Sequence, residues 1–353
     1  MDLRQMAVLA VCGYSGAGKT TLILDLIGRM RARGLSVLVI KHDAHGLTVD
    51  RQGKDSARFF DAGADVLARD PKQGFLRTHA GAEADLASLL RQWAFHQDVI
   101  LVEGHKATPL PHKIWLRRNA RDGAPEAFGP MLLDLGRAPN RGQIAWAFID
   151  PWIDHIHRQT PLMAGILIGG QSRRMGQPKH LMLDRGRTWL ARIAAALRPV
   201  VDGVVVLGAG RVPLSCAALP RLPDIPGCSG PMAGLRAATR WQREARWIFT
   251  ACDTPRITTE AVRWLASQAR PGIWAVQART DPRTPAQPFP GLYDPRAALA
   301  LEAASGPSFL ARLPRTATPL VPAALRAAWR DFDTKNSLER SRANDGAGSA
   351  AKT

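Results

Sequence analysis

The segment Gly13-Tyr14-Ser15-Gly16-Ala17-Gly18-Lys19-Thr20 fits the pattern G-x-x-x-x-G-K-[ST]. No other stretch restricts the fold as much. A loop that wraps phosphate oxygens with its own N–H groups needs glycines at its bends. It also needs a strand to deliver it and a helix whose N-terminal dipole faces the anion. Both flanks are present. The apolar run Ala7 to Cys12 predicts a strand, and residues from about Thr20 to Arg33 predict a helix that Gly34 can cap. Gly13, Gly16, Gly18, Lys19, Thr20 and Thr21 are therefore expected to bind nucleotide phosphates. Lys19 supplies a point charge for the β/γ-phosphates, and Thr20 offers a hydroxyl to Mg2+. The plain alternative is a glycine-rich turn with no ligand.

A second buried strand is predicted at Val37–Ile40, helical segments near Asp55–Asp61 and Ala82–Trp93, and another apolar strand at Val99–Val102. Strands separated by helical segments imply a mostly parallel sheet covered on both faces. The last strand ends in Glu103, a candidate metal acid beside Thr20, while Asp98 precedes the strand. An end-of-strand carboxylate can equally be structural. There is no Asn-Lys-x-Asp segment, so the base bound by this half is not legible. His42 and His45, with Asp43 and Asp50 nearby, could hold a metal but read more simply as polar loop residues, because none of the nine histidines has a standard zinc spacing.

Near residue 158 the pattern restarts. Arg158-Gln159-Thr160-Pro161 reads as a linker, and Met163–Ile168 as a strand running into a second glycine-rich loop, Gly169-Gly170-Gln171-Ser172-Arg173-Arg174-Met175-Gly176. Paired glycines allow close backbone approach to a nucleotide, and Arg174 and Lys179 can neutralise a triphosphate as pyrophosphate leaves. A solvated arginine-rich turn is the competing reading. Further strands are predicted at Val204–Leu207 and Ile248–Ala251, with helices at Arg187–Leu197, Gly234–Trp241 and Thr258–Ala269. The second of those strands delivers Asp253 at its carboxyl end, where open α/β sheets place ligands. Asp224 precedes another backbone-exposing loop, Gly230-Pro231-Met232-Ala233-Gly234, and Asp331 and Asp333 lie two apart near the end. Asp253 and Asp333 are candidate Mg2+ ligands. The chain thus reads as α/β with two domains, 1–158 and 162–341, and a small, polar tail over 342–353 that is expected to be disordered.

Composition narrows the function classes. The net charge is +18, with 21 Lys+Arg against 17 Asp+Glu through residue 160 and 27 against 13 beyond it. A basic second half suits anionic ligands, although an arginine-rich solvated surface explains many of these charges equally well. No basic block interleaved with aromatics is present, so no nucleic-acid partner is expected. No run of 18 apolar residues occurs, so no membrane span is expected. The short apolar run before Gly13 is below the length of a secretory segment. Four scattered cysteines fit reduced thiols, and a cytoplasmic setting is the expectation.

Taken together, the phosphate loop, Lys41-His42, Asp50 to Ser56, Ala62-Gly63-Ala64 and Val102-Glu103-Gly104-His105-Lys106 resemble the molybdopterin-guanine dinucleotide biosynthesis adaptor family over roughly residues 5–157. That resemblance implies a P-loop NTPase-type domain that binds GTP with Mg2+ and hydrolyses it slowly. Residues 163 to 340 resemble the molybdenum cofactor guanylyltransferases, which have a Rossmann-like nucleotidyltransferase fold. The resemblance implies that the first loop (Leu167, Ile168, Gly169, Gly170) binds GTP and that Lys179 contacts phosphate. It further implies that Asp224 lies at the nucleotide, Gly230 and Gly234 along the nucleoside, and Asp253 on Mg2+. Catalysis would fall to Asp253, Lys179 and Arg174, with GTP and molybdopterin as substrates and molybdoenzyme apoproteins or their chaperones as partners. Many relatives have Asn-Thr-Pro where this chain has Asp333-Thr334-Lys335. The pterin side is expected at Gln287 to Tyr293 and Ser305 to Ser308. A cytidylyltransferase, a non-catalytic GTP-dependent delivery protein and a nucleic-acid-binding GTPase are the alternatives.

Overall fold

The computed structural model describes residues 3–41, 54–77, 86–169, 176–228, 230–304 and 306–332. The chain divides into two compact units, Met1–Ile149 and Asp150–Thr353. The division falls inside a helix, Arg141–Gln159. Arg158 and Gln159, read from sequence as linker, are therefore its last helical residues, and only Thr160 and Pro161 separate it from the next strand.

Unit one comprises β1 (Val8–Gly13), α1 (Lys19–Ala32), β2 (Val37–Lys41), α2 (Asp55–Asp61), β3 (Val66–Arg69), β4 (Gly74–Arg77), α3 (Leu86–Trp93), β5 (Val99–Glu103), β6 (Lys113–Leu116), β7 (Leu133–Leu135) and the start of α4 (Arg141–Gln159). Its five-stranded sheet has the order β2-β5-β1-β6-β7, and every pairing is parallel. The inner strands are buried along nearly their whole length, as a sheet covered on both faces requires. Gly34 closes α1 with φ +83°, and the amide of Leu35 donates to Met30 O (2.9 Å), which satisfies an end carbonyl. Strands β3 and β4 form a separate two-stranded hairpin whose paired Leu67 and Leu76 are both exposed.

The sequence reading found neither β6 nor β7. β6 is only four residues long and begins with a lysine, which hides it. Lys113 is nevertheless buried: its Nζ donates to Phe128 O (2.5 Å) and Lys106 O (3.3 Å) and lies 4.7 Å from the Phe128 ring. Burial lowers its pKa.

Unit two comprises β8 (Leu162–Leu167), β9 (Leu183–Asp184), β10 (Arg187–Thr188), α5 (Trp189–Leu197), β11 (Gly203–Leu207), β12 (Arg221–Leu222), α6 (Pro231–Trp241), β13 (Arg246–Ala251), α7 (Thr259–Ser267), β14 (Ala275–Gln277), β15 (Gly291–Tyr293), α8 (Ala297–Ala303) and β16 (Thr316–Ala317). The seven-stranded sheet runs β12-β11-β8-β13-β15-β14-β16. It is parallel from β12 to β13, while β15 is antiparallel to both of its neighbours. Alternation along β8 sorts the core. Leu162, Ala164 and Ile166 pack with residues of α5 and α7, and Met163 packs with residues of α6 and α8 on the other face. Gly165 also points to that second face. A Cβ there would lie 2.5 Å from Leu207 Cδ1 and 2.8 Å from Phe249 Cδ1, so the strand tolerates no side chain at this position.

The end of α4 brings His157 into a buried charge cluster of unit two. Its Nδ1 is 4.0 Å from Asp294 Oδ2, and Asp294 is held by Arg296 through Nε (2.5 Å) and Nη2 (2.7 Å). Burial lowers the His157 pKa from 6.5 to about 4, against the opposing pull of Asp294. Asp294 titrates below its ordinary range, where the arginine offsets the cost of burial. As pH falls below 6.5 the unfolded chain takes up a proton that the folded unit refuses until about pH 4. Stability is therefore lost across that window by about 1.4 kcal/mol per pH unit. We expect His157→Gln to flatten the dependence of unfolding free energy on pH between 6.5 and 4, measured by urea denaturation. An unchanged slope would contradict the burial argument.

Candidate nucleotide sites

In unit one, β1 is central, and the loop leaving its carboxyl end turns on glycines with positive φ: Gly13 (+150°), Gly16 (+74°) and Gly18 (+88°). At Gly13 the requirement is also steric, since a Cβ would lie 2.7 Å from Leu116 O. Lys19 folds back over the loop and donates to Gly13 O (3.2 Å) and Tyr14 O (3.1 Å). Thr20 Oγ1 donates to Glu103 Oε1 at 3.0 Å. Register explains the meeting, because Glu103 ends β5 opposite Val11 of β1. Asp98, at the other end of β5, is buried and accepts from Ser36 N (2.7 Å) and Ser36 Oγ (2.8 Å). It clasps β2 to β5 and is structural. Just below the loop, Cys12 Sγ donates to Gly104 O (2.8 Å), and burial raises the thiol pKa to about 11.

In unit two, β8 occupies the equivalent central place, with β11 on one side and β13 on the other. Leu167 O accepts from Cys252 N (3.1 Å) and Ile168 N donates to Leu207 O (2.9 Å), so the chain stays in the sheet until Gly169, which has φ +134°. Lys179 Nζ lies 3.4 Å from Asp253 Oδ2, although 74 residues separate them. Both side chains remain partly exposed. Cys252, one residue before this acid, is buried, and its thiol pKa rises to about 12 through burial and then the charge of Asp253. The C-terminal segment arrives at the same place: Phe332 N donates to Asp253 O (3.0 Å), and its ring is buried beside Trp189.

Two family models match the chain, in the same order. Residues 8–129 match "Molybdopterin guanine dinucleotide synthesis protein B", and residues 164–319 match "MobA-like NTP transferase domain". A molybdopterin-guanine dinucleotide biosynthesis adapter protein of Haemophilus influenzae is 36% identical over 170 residues, covering 43% of this chain and 93% of that protein. A probable molybdenum cofactor guanylyltransferase of Deinococcus radiodurans is 35% identical over 136 residues, covering 38% of this chain and 67% of that protein. The molybdenum cofactor guanylyltransferase of Rhodobacter capsulatus is 41% identical over 113 residues, covering 30% of this chain but only 59% of the relative. The chain belongs to both families.

In the guanylyltransferase-family unit, the structure distributes the sequence candidates unevenly. Lys179, Asp253 and Gly169 lie at the carboxyl edge of the sheet, whereas Gly170, Arg174 and Asp333 lie outside the described residues, as do His42, His45 and Asp50 of the adaptor-family unit. Gly230 has φ +67° and precedes α6. Gly234 is buried within α6, and a Cβ there would lie 2.7 Å from Leu167 Cδ2, so packing accounts for this glycine. The expectation of a pterin surface at Gln287 to Tyr293 fails at Tyr293. Its ring is buried, 5.5 Å from that of Phe249, and its hydroxyl donates to Pro288 O (2.7 Å). Burial raises its pKa, and the ring belongs to the core.

Gly208, which the sequence reading passed over, packs against the end of β8 beside Asp224. It follows β11 with φ +107°, and a Cβ there would lie 2.3 Å from Ile168 O and 3.7 Å from Asp224 Oδ1. The Gly208-Ala209-Gly210 run after an apolar strand was the available signal. Arg141 was also missed. Its guanidinium donates to Ala17 O in the phosphate loop (2.8 Å) and to Gly136 O and Arg117 O, which ties the loop to the ends of β6 and β7.

The crowding at Gly208 can be tested in a Lys19→Ala background, which weakens nucleotide binding by the phosphate loop. Gly208→Ala is expected to lower stability by about 1–3 kcal/mol through strain and overpacking. It should also weaken GTP binding at least tenfold by displacing the Ile168 backbone. Thermal unfolding and equilibrium GTP titration would read both. Wild-type affinity would mean that the Ile168–Gly208 contact does not shape the nucleotide site.

Proposed function

We propose that this chain transfers GMP from GTP to molybdopterin, forming the guanine dinucleotide cofactor and pyrophosphate, and that its N-terminal unit binds GTP and assists. The observation that carries the reading is the Lys179–Asp253 pair at the carboxyl edge of β8 and β13. It sets a lysine that could bind phosphate and a carboxylate that could hold a metal together near the end of the strand that leads into Gly169. A phosphate oxygen of molybdopterin attacks the α-phosphorus of GTP. A new P–O bond forms as the bond to the β-phosphate breaks, and the electron pair leaves with pyrophosphate. Such a step needs alignment and charge neutralisation more than a covalent nucleophile. Lys179 and Arg174 would hold the departing charge, and the backbone at Gly169 and Gly170 would admit the nucleotide closely.

The residues fit Mg2+ rather than a softer ion. Asp253 in the transferase unit and Thr20 with Glu103 in the adaptor unit are oxygen donors, and among the described residues no group of three acidic, histidine or cysteine side chains gathers. An ion that takes most of its ligands from phosphates and water needs no such cage. Bound to Asp253, Mg2+ would supply charge stabilisation at the reacting phosphate. Recipients of the product would be molybdoenzyme apoproteins or their chaperones. Among the described residues no helix is long and apolar enough to cross a membrane.

The test is pyrophosphate release from purified protein and molybdate-loaded molybdopterin with GTP, CTP or ATP. Release is expected with GTP, and Asp253→Ala should lower it by roughly 10²–10³-fold, as for the loss of an electrostatic catalyst. Release with CTP instead would keep the chemistry and overturn the base. Phosphate release from GTP without pyrophosphate would leave the delivery protein as the better reading.

A further inference from the structure

Unit two contains a cavity of about 250 Å³ that neither Lys179 nor Asp253 lines. Its walls come from the β9–β10 hairpin, α5, the segment leading into α7, and the short helical turn Ala323–Trp329. Three arginines, Arg185, Arg192 and Arg256, face it together with Thr258, against one carboxylate, Asp184. The rest of the lining is apolar, formed by Ala324, Leu325, Ala327 and Ala328, and offers no side-chain acceptor.

Arg192 makes the strongest case. Its side chain is 29% exposed, and its described contacts are both on Nε: Asp184 Oδ2 at 3.5 Å and Pro255 O at 3.4 Å. Its two terminal nitrogens have no hydrogen bond to a described residue. A half-buried guanidinium with its fork unfilled favours a planar or tetrahedral oxyanion, which it binds bidentately. Arg185 adds a second sign. It occupies the first central position of the two-residue turn between β9 and β10, with φ +48°, followed by Gly186 at +76°. Two positive φ values mark a turn that favours asparagine or glycine first, so arginine there is held in a strained backbone conformation. Arg256 is braced from behind, with its guanidinium carbon 5.3 Å from the centre of the Phe332 ring.

We propose that this cavity binds a phosphate oxyanion through Arg185, Arg192 and Arg256, and that a phosphoanhydride fits it better than a single phosphate, because the cations stand on three separate segments. The ligand could come as free pyrophosphate or as the phosphate chain of a nucleotide. The inference does not depend on the reaction proposed above.

Calorimetric titration of the full chain carrying Lys19→Ala and Lys179→Ala, which weakens the two glycine-loop sites, would test it with inorganic pyrophosphate and, separately, GDP. One pyrophosphate site is expected. Arg185→Asn, which relieves the turn and preserves the hairpin, should weaken it about tenfold, in line with one charge-assisted hydrogen bond. Arg192→Lys keeps the charge but loses the fork, and should weaken it similarly, with unfolding temperatures unchanged. GDP binding that is tighter than pyrophosphate, and equally sensitive to both variants, would support the site and assign it to nucleotide phosphates. Affinity for both ligands that is unchanged in the two variants, or no binding in the background protein, would overturn the proposal.

Discussion

A parallel strand whose neighbours lead away in opposite directions leaves its carboxyl end uncovered, because the connections on either side pass to different flanks of the sheet. Both units place their first strand there: β1 between β5 and β6, and β8 between β11 and β13. The backbone that leaves such a strand has N–H groups without sheet partners and a crevice to enter. The candidate nucleotide groups of the two units are arranged around those two exits. Glu103 ends β5 and Asp253 follows β13 by two residues, and the remaining candidate groups are brought in by loops.

Packing behind the exits determines which positions can carry side chains. Gly13 meets Leu116 O, Gly208 meets Ile168 O, and Gly234 meets Leu167. These glycines look alike in sequence but answer different demands. Gly13 and Gly208 have positive φ and a carbonyl within overlap distance. Gly234 lies in an ordinary helix and only lets α6 approach the sheet. A substitution at Gly234 would act through stability, whereas one at Gly13 or Gly208 would also move the backbone at a strand exit.

The strands with continuous apolar runs were legible in the sequence, and so was the first helix with its glycine cap, because period and punctuation agree there. The phosphate loop and Asp253 were legible for the same reason: each follows directly from a recognisable strand. β6 was not, since its lysine is buried by contacts with Phe128 and Lys106 that only the tertiary fold supplies. α4 was missed although Ile149, Trp152, Ile153 and Ile156 recur at helical spacing and are buried. Arg158-Gln159-Thr160-Pro161 reads as a linker instead. Tyr293 was misread because a ring in a glycine- and proline-rich stretch looks exposed until β15 pairs between β13 and β14 and buries it.

Geometry also separates acids that hold the fold from acids that can exchange partners. Asp98 is buried and bonded to both the backbone and hydroxyl of Ser36, and Asp294 is buried under a two-pronged contact with Arg296. Removing a partner from either would leave a desolvated charge, a large cost. The Lys179–Asp253 contact is longer, at 3.4 Å, and both side chains keep some solvent. At that distance the contact lacks a close charge-assisted hydrogen bond, and it does not by itself explain why a lysine and an aspartate 74 residues apart should meet at a sheet edge. So long a contact suits the proposed transfer, in which a phosphate would take the lysine and a hard cation the aspartate.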